Sequence, residues 1–193
     1  FVRKTLSFSK CKSHHHWFTH YFIVNYNILL YLFLSKKIKN KKMENLQFVK
    51  VKKIPFDGFE SLKQESQMEG FNFLKRLKDE WQADINRFSL KGEALYIVCY
   101  ESELIAIGGI NQDPYLQQEK HGRLRRFYVK KSWRRKKVGK ALLYFIVENH
   151  AHFFETIGLY TQHEKAAAFY LNVGFETVHD EYKITHRWIK STV

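Results

Sequence analysis

Two cysteines in 193 residues, Cys11 and Cys99, lie in different segments and supply no disulfide framework. Their scarcity excludes the small bridge-stapled scaffolds of secreted proteins and fits a reducing cytoplasm. Cys99 closes the apolar run Leu95-Tyr96-Ile97-Val98-Cys99 and reads as a small core residue, not a nucleophile. After Met43 there is no internal repeat and no low-complexity linker, and the chain shows neither helix-turn-helix nor zinc spacing. Acidic residues are missing altogether from residues 1–42, which hold nine Lys/Arg. Of the formal net charge of +14, only +5 therefore belongs to residues 43–193. The basic balance is largely an N-terminal matter and does not by itself argue for nucleic acid.

The N-terminal stretch differs from the rest. Trp17–Leu34 is an aromatic-rich, mostly apolar run of 18 residues followed by Lys36, Lys37, Lys39, Lys41 and Lys42. Its length is near the minimum for a membrane span, yet His20, Asn25 and Asn27 interrupt it and no small-residue cleavage site follows. We read Met43 as the natural start and residues 1–42 as an upstream extension outside the fold, a membrane anchor at 17–34 being the alternative. His14-His15-His16 is too short and isolated to argue a metal, so no metal site is expected.

From Met43 onward, 45% hydrophobic content overall and alternating periodicities describe one α/β domain, residues 43–193. Leu46–Val51 alternates as a half-buried strand, and Pro55 with Asp57-Gly58 marks the turn after it. Phe59 and Leu62 open a short helix; Phe71, Leu74, Leu77 and Trp81 define a second by their three- and four-residue spacing. Ala94–Tyr100 and Leu104–Ile110, split by Glu101-Ser102-Glu103, form a hairpin, with Gly108-Gly109 ending its second strand. A strand over Arg123–Val129 precedes a helix running from Val138 to Phe153, whose apolar face is Val138, Ala141, Leu142, Phe145 and Ile146. A strand at Ile157–Thr161, a helix over Glu164–Leu171 with Gly174 as left-handed cap, and strands at Phe175–Val178 and Lys183–Trp188 complete the pattern.

The most telling stretch joins strand 123–129 to the helix that follows. Arg134, Arg135, Lys136, Lys137, Val138, Gly139 and Lys140 form a basic loop opening into the first helical turn. Such a turn presents unpaired N–H groups and the positive end of the macrodipole, and Gly139 allows close approach, so the segment is a cradle for pyrophosphate. A solvated charged face is the bland reading of the same run.

These words, in this order, resemble the GNAT superfamily of acyl-CoA-dependent N-acetyltransferases over about residues 46–189. The family signature Arg/Gln-x-x-Gly-x-Gly/Ala after a hydrophobic-Val pair is matched by Tyr128-Val129, then Arg134-x-x-Lys137-x-Gly139. A second word, Asn-x-x-Ala-x-x-x-Tyr followed by Gly-Phe, is matched by His163 to Tyr170, then Gly174-Phe175. Two positions depart from the pattern: Lys137 replaces the first glycine and His163 the asparagine.

The resemblance implies a single α/β domain with a central mixed, mostly antiparallel sheet, flanking helices and splayed central strands. It implies that backbone groups of Phe127 and Val129, with Tyr128 between them, pair with the pantetheine arm. The amides from Arg134 to Lys140 would hold the pyrophosphate and His163 would help position the cofactor. Amine attack on the thioester creates an oxyanion needing a fixed N–H donor, and Tyr170 is placed by motif to protonate the leaving thiolate. Packing of Tyr170 against Phe169 and Phe175 is the alternative. No general base is evident. Asp113 and Tyr115 are candidates for amine binding or proton relay, set against an ordinary Asp-Pro turn, and Arg123 and Arg125 for an acceptor bearing a carboxylate or phosphate.

The expected activity is transfer of an acetyl group from acetyl-CoA to a primary amine of a small molecule or peptide, by a cytoplasmic monomer or homodimer. A non-catalytic acyl-CoA sensor and a basic nucleic-acid module are the competing readings. Ten Lys/Arg within Arg123–Lys140 favour the latter, but the interleaved exposed aromatics of a single-strand binder are missing.

Overall fold

The computed structural model describes residues 45–116 and 120–189. The readings of residues 1–42 and of Met43 lie outside them. Seven strands form one sheet: β1 Leu46–Lys50, β2 Ala94–Tyr100, β3 Glu103–Gln112, β4 His121–Val129, β5 Thr156–Leu159, β6 Glu176–Thr177 and β7 His186–Ile189, in the order β1-β2-β3-β4-β5-β7-β6. Only β4 and β5 run parallel; every other neighbour is antiparallel. The four helices are α1 Phe59–Met68, α2 Phe73–Gln82, α3 Val138–His150 and α4 Glu164–Leu171. This is the mixed, mostly antiparallel α/β architecture expected from the sequence.

Helices cover both faces because each carries one apolar stripe. On one face α3 brings Val138, Leu142, Leu143 and Ile146 against Val98, Ile105, Ile110, Leu124 and Ile157. On the other, α1 and α2 bring Phe59, Leu62, Leu74, Leu77 and Trp81 against Leu95, Leu104, Ile107 and Tyr128. The β2–β3 turn is tighter than the three residues expected. Glu101 (φ +46°) and Ser102 (φ +69°) make a two-residue turn of the handedness that matches strand twist.

Several boundaries differ from the periodicity, and β6 and β7 are shorter than the strands expected at Phe175–Val178 and Lys183–Trp188. Phe71 is not helical: Gly70 (φ +82°) closes α1, α2 starts at Phe73, and the Phe71 ring lies 6.0 Å from that of His163. Helix α3 ends at His150, a turn earlier than Phe153. Gly108-Gly109 lies inside β3, where neighbours crowd it. A Cβ on Gly108 would sit 2.6 Å from the Phe127 ring, and one on Gly109 2.4 Å from the Phe88 ring. Gly174 takes φ +96° after α4, as a left-handed cap requires. Among the described residues no helix is long and apolar enough to cross a membrane.

Candidate active site

The site begins with a strand that loses its partner. β4 pairs with β5 only at His121–Thr156, Gly122–Ile157 and Arg123–Gly158. From Leu124 to Val129 its β5-facing edge pairs with no strand, so the sheet opens into a wedge there. Phe127, Tyr128 and Val129 all lie along this opened edge.

A bulge sits in the same segment. Ile107 faces Tyr128 and Gly109 faces Arg125, so Arg126 and Phe127 both stand opposite Gly108. Arg126 adopts φ +57° to absorb the extra residue. A bulge leaves main-chain groups out of the ladder and re-aims them, here beside the wedge. The bare Gly108 is what admits the Phe127 ring above it.

The edge leads to the cradle. Gly139, in the first turn of α3, lies against Val129 Cγ2 at 3.3 Å and the rings of Phe169 and Phe127 at 3.6 and 3.7 Å, measured from the position a Cβ would take. The first main-chain bond to the Lys137 carbonyl comes from Ala141, and no side chain caps the helix. The N–H groups of Val138, Gly139 and Lys140 thus precede the helical ladder. Before them, Arg135 (φ +62°) and Lys137 (φ +64°) are left-handed, whereas Arg134 and Lys136 are not. Alternation of this kind turns successive N–H groups to one side and forms an anion-binding concavity. Lys137 adopts a left-handed backbone of the kind glycine favours, and Arg135, Lys136 and Lys137 are exposed around the loop. An acyl-CoA pyrophosphate fits this donor set.

Arg134 is committed elsewhere. Its guanidinium forks onto the Glu69 carboxylate, and its Nε donates to the Val129 carbonyl at 3.0 Å. Its side chain therefore fixes the loop, and its own N–H donates to the Lys131 carbonyl at 3.3 Å, leaving the main chain from Arg135 onward for a ligand. Glu69 also accepts from Tyr128 Oη at 2.7 Å, while Glu65 lies 3.0 Å from that hydroxyl and accepts the Lys131 N–H at 2.7 Å. Arg134 holds the Glu69 carboxyl below the usual range, and burial followed by the two carboxylates pushes the Tyr128 hydroxyl up. Tyr128 is thereby locked on the α1 side. Sequence reasoning missed Glu65 and Glu69. Their spacing of four residues reads as a solvated helix face, and only the fold brings Tyr128 and Arg134 to it.

Tyr170 is buried on α4, with its ring 6.3 Å from Phe127, 5.6 Å from Phe175 and 6.3 Å from His186. Its packing with Phe169 and Phe175 is real, and the Phe127 contact also brings it to the wedge. Burial raises the hydroxyl pKa, which keeps Tyr170 protonated at neutral pH. His163 is the exposed N-cap residue of α4, its ring opposite Phe71.

Asp113 is not an open base. Its side chain is 1% exposed, Oδ2 accepts from Arg123 Nε at 3.0 Å, and Oδ1 accepts the Tyr115 N–H at 2.9 Å. Tyr115 lies with its ring 4.7 Å from the Arg123 guanidinium carbon. Arg125 stands 3.8 Å from Glu80, which Arg126 engages at 2.5 Å. Among the described residues no group of three or more His, Cys, Asp or Glu could hold a metal.

Known proteins resemble this chain in sequence and fold. The family described as Acetyltransferase (GNAT) domain matches residues 91–177. A protein from Exiguobacterium sp. 255-15 assigned as an acetyltransferase is 28% identical, with a TM-score of 0.67 over 75% of this chain and 93% of that one. A GNAT-family acetyltransferase from Staphylococcus aureus Mu50 is 14% identical, with a TM-score of 0.57 over 75% and 98% of the two chains. Ard1 from Thermoplasma volcanium is 14% identical, with a TM-score of 0.57 over 77% and 99%. The last two show the fold alone. No curated protein matches the sequence. Family match and splayed sheet agree: residues 91–177 form a GNAT acetyltransferase domain, of a superfamily of acyltransferases that use acyl-CoA donors.

Proposed function

We propose that the chain is an N-acetyltransferase that moves an acetyl group from acetyl-CoA to a primary amine. One observation carries the reading: the unpaired edge of β4 contains a bulge and ends on the open N-terminus of α3. Acetyl-CoA supplies an activated thioester; the chain supplies its seat and the protons. Main-chain groups of Phe127 and Val129 extend the sheet onto the pantetheine amides, as an added strand would. With the Val129 carbonyl already accepting from Arg134, the N–H groups of the edge are its free contribution. The amides of residues 135–140 with Lys136, Lys137 and Lys140 hold the pyrophosphate, and His163 closes the opposite side. The bulge N–H groups beside Arg126 and Phe127 face the position where negative charge develops on a carbonyl oxygen. Tyr170 keeps its proton on Oη and delivers it to the departing sulfur. Asp113 is engaged, so the amine proton leaves through water or an acceptor group on the substrate.

Calorimetric titration of the full chain with acetyl-CoA, CoA and ATP tests the cradle. Both coenzymes are expected to bind saturably and much more tightly than ATP, and Gly139→Glu to abolish that binding with the fold intact. Retained binding in Gly139→Glu would remove the cradle assignment.

A further inference from the structure

The α1/α2 face of the sheet carries buried polarity that packing does not require. Asn111, Asp113, Arg123 and Arg126 are all buried on or beside β3 and β4. Asn111 stands opposite Arg123 and Gly109 opposite Arg125, and Gly109 abuts Phe88 of the α1/α2 core, so these positions share that face. Three guanidiniums, Arg123, Arg125 and Arg126, meet two carboxylates, Asp113 and Glu80. One positive charge is in excess.

The hydrogen-bond pattern leaves donors unengaged within this face. Among the described residues, three buried side-chain nitrogen or oxygen atoms lack a partner, and all are arginine nitrogens: Arg123 Nη2, Arg126 Nε and Arg187 Nε. Buried donors are ordinarily satisfied. Arg123 is held rigidly around its free corner, since Nε donates to Asp113 at 3.0 Å and Nη1 to the Lys183 carbonyl at 2.8 Å. Arg123 also marks the last β4–β5 pair, and Arg126 is the bulge residue. Both residues thus belong to β4 close to where it parts from β5. Arg187 lies across Gly158 from Arg123.

We infer that this face seats the acceptor, and that the acceptor carries a carboxylate received by Arg123 Nη2 and Arg126 Nε. A carboxylate offers in-plane lone pairs to planar guanidinium donors and neutralises the excess charge. That the bound molecule is acetylated rests on the activity proposed above; that it binds through a carboxylate does not.

The test is binding to the full chain of the proteinogenic α-amino acids and of 4-aminobutyrate and 6-aminohexanoate, each beside its methyl ester, read by melting shift and ligand-observed NMR. At least one free acid should bind tenfold or more tightly than its ester. Arg123→Lys, which keeps a charge for Asp113 and removes Nη2, should erase that preference. Arg126→Lys is the second variant should Arg123→Lys fail to fold. Wild-type acetyl-CoA binding in either variant shows that the fold stands. The inference is overturned when no free acid outcompetes its ester, or when a folded variant keeps the preference. A preference for acids in a chain that does not bind acetyl-CoA would sink the acetyl-transfer reading and leave this one standing.

Discussion

Lys137→Gly should make the protein more stable although it removes a side chain and a charge. Lys137 caps α3 with φ 64° and ψ 2° and makes no side-chain capping bond. Left-handed backbone costs a residue with a Cβ about 1–2 kcal/mol, whereas glycine gives back about 0.5–1 kcal/mol as extra freedom of the unfolded chain. The difference is a gain of roughly 0–1.5 kcal/mol, or about 2–4 °C in melting temperature for each kcal/mol in a domain of this size. Lys137→Ala is the control: it keeps the Cβ and its strain, and should stay within about 0.5 kcal/mol of wild type. Urea unfolding and thermal melts of the three proteins read the effect. The reasoning fails if Lys137→Gly melts no higher than Lys137→Ala. Binding should separate the two roles of the residue. Losing the ammonium should weaken acetyl-CoA binding several-fold at low salt in both variants, and the deficit should shrink as salt screens the phosphates.

Tyr170→Phe should lower turnover far more than acetyl-CoA affinity; equal losses in a thiol-release assay and in calorimetry would remove its acid role. Gly109→Ala places a Cβ 2.4 Å from Phe88 and 3.0 Å from the Ala94 carbonyl, so overpacking should cost about 1–3 kcal/mol in chemical denaturation. Gly108→Ala pushes instead on Phe127, the neighbour of Tyr170, and should reduce turnover as well as stability. Burial lowers the pKa of both His150 and His186 below the ordinary histidine value. The unfolded chain then binds more protons than the native one as pH falls through that ordinary value, so stability is full above it and declines below it. Melting temperature should drop from pH 7.5 to 5.5, and less steeply in His150→Gln.

The sequence revealed most where side-chain periodicity or a local backbone demand does the work. The bounds of α4 are legible because Glu164 opens it and the Asn172–Gly174 turn closes it; the candidate cradle stands out because a basic loop runs into an apolar helical stripe. Properties that arise between elements were invisible. Arg126 shows no glycine or proline to announce a bulge, and only the pairing count across β3 discloses it. Asp113 looked equally able to serve as base or turn, because the partner that decides the matter, Arg123, is brought to it by strand pairing. Gly108-Gly109 reads as a strand end but lies inside β3, since the rings that crowd it come from Phe127 and Phe88.

The ion pair between Glu69 and Arg134 has a thermodynamic consequence. It ties the end of α1, which packs on the face proposed for the acceptor, to the loop that opens α3, and Arg134 extends the tie to the Val129 carbonyl. The seats proposed for donor and acceptor thus share one joint. A ligand that tightens α1 against the sheet must also bias the loop, and linkage makes the exchange symmetric: whatever acetyl-CoA adds to acceptor affinity, the acceptor returns in equal measure to acetyl-CoA.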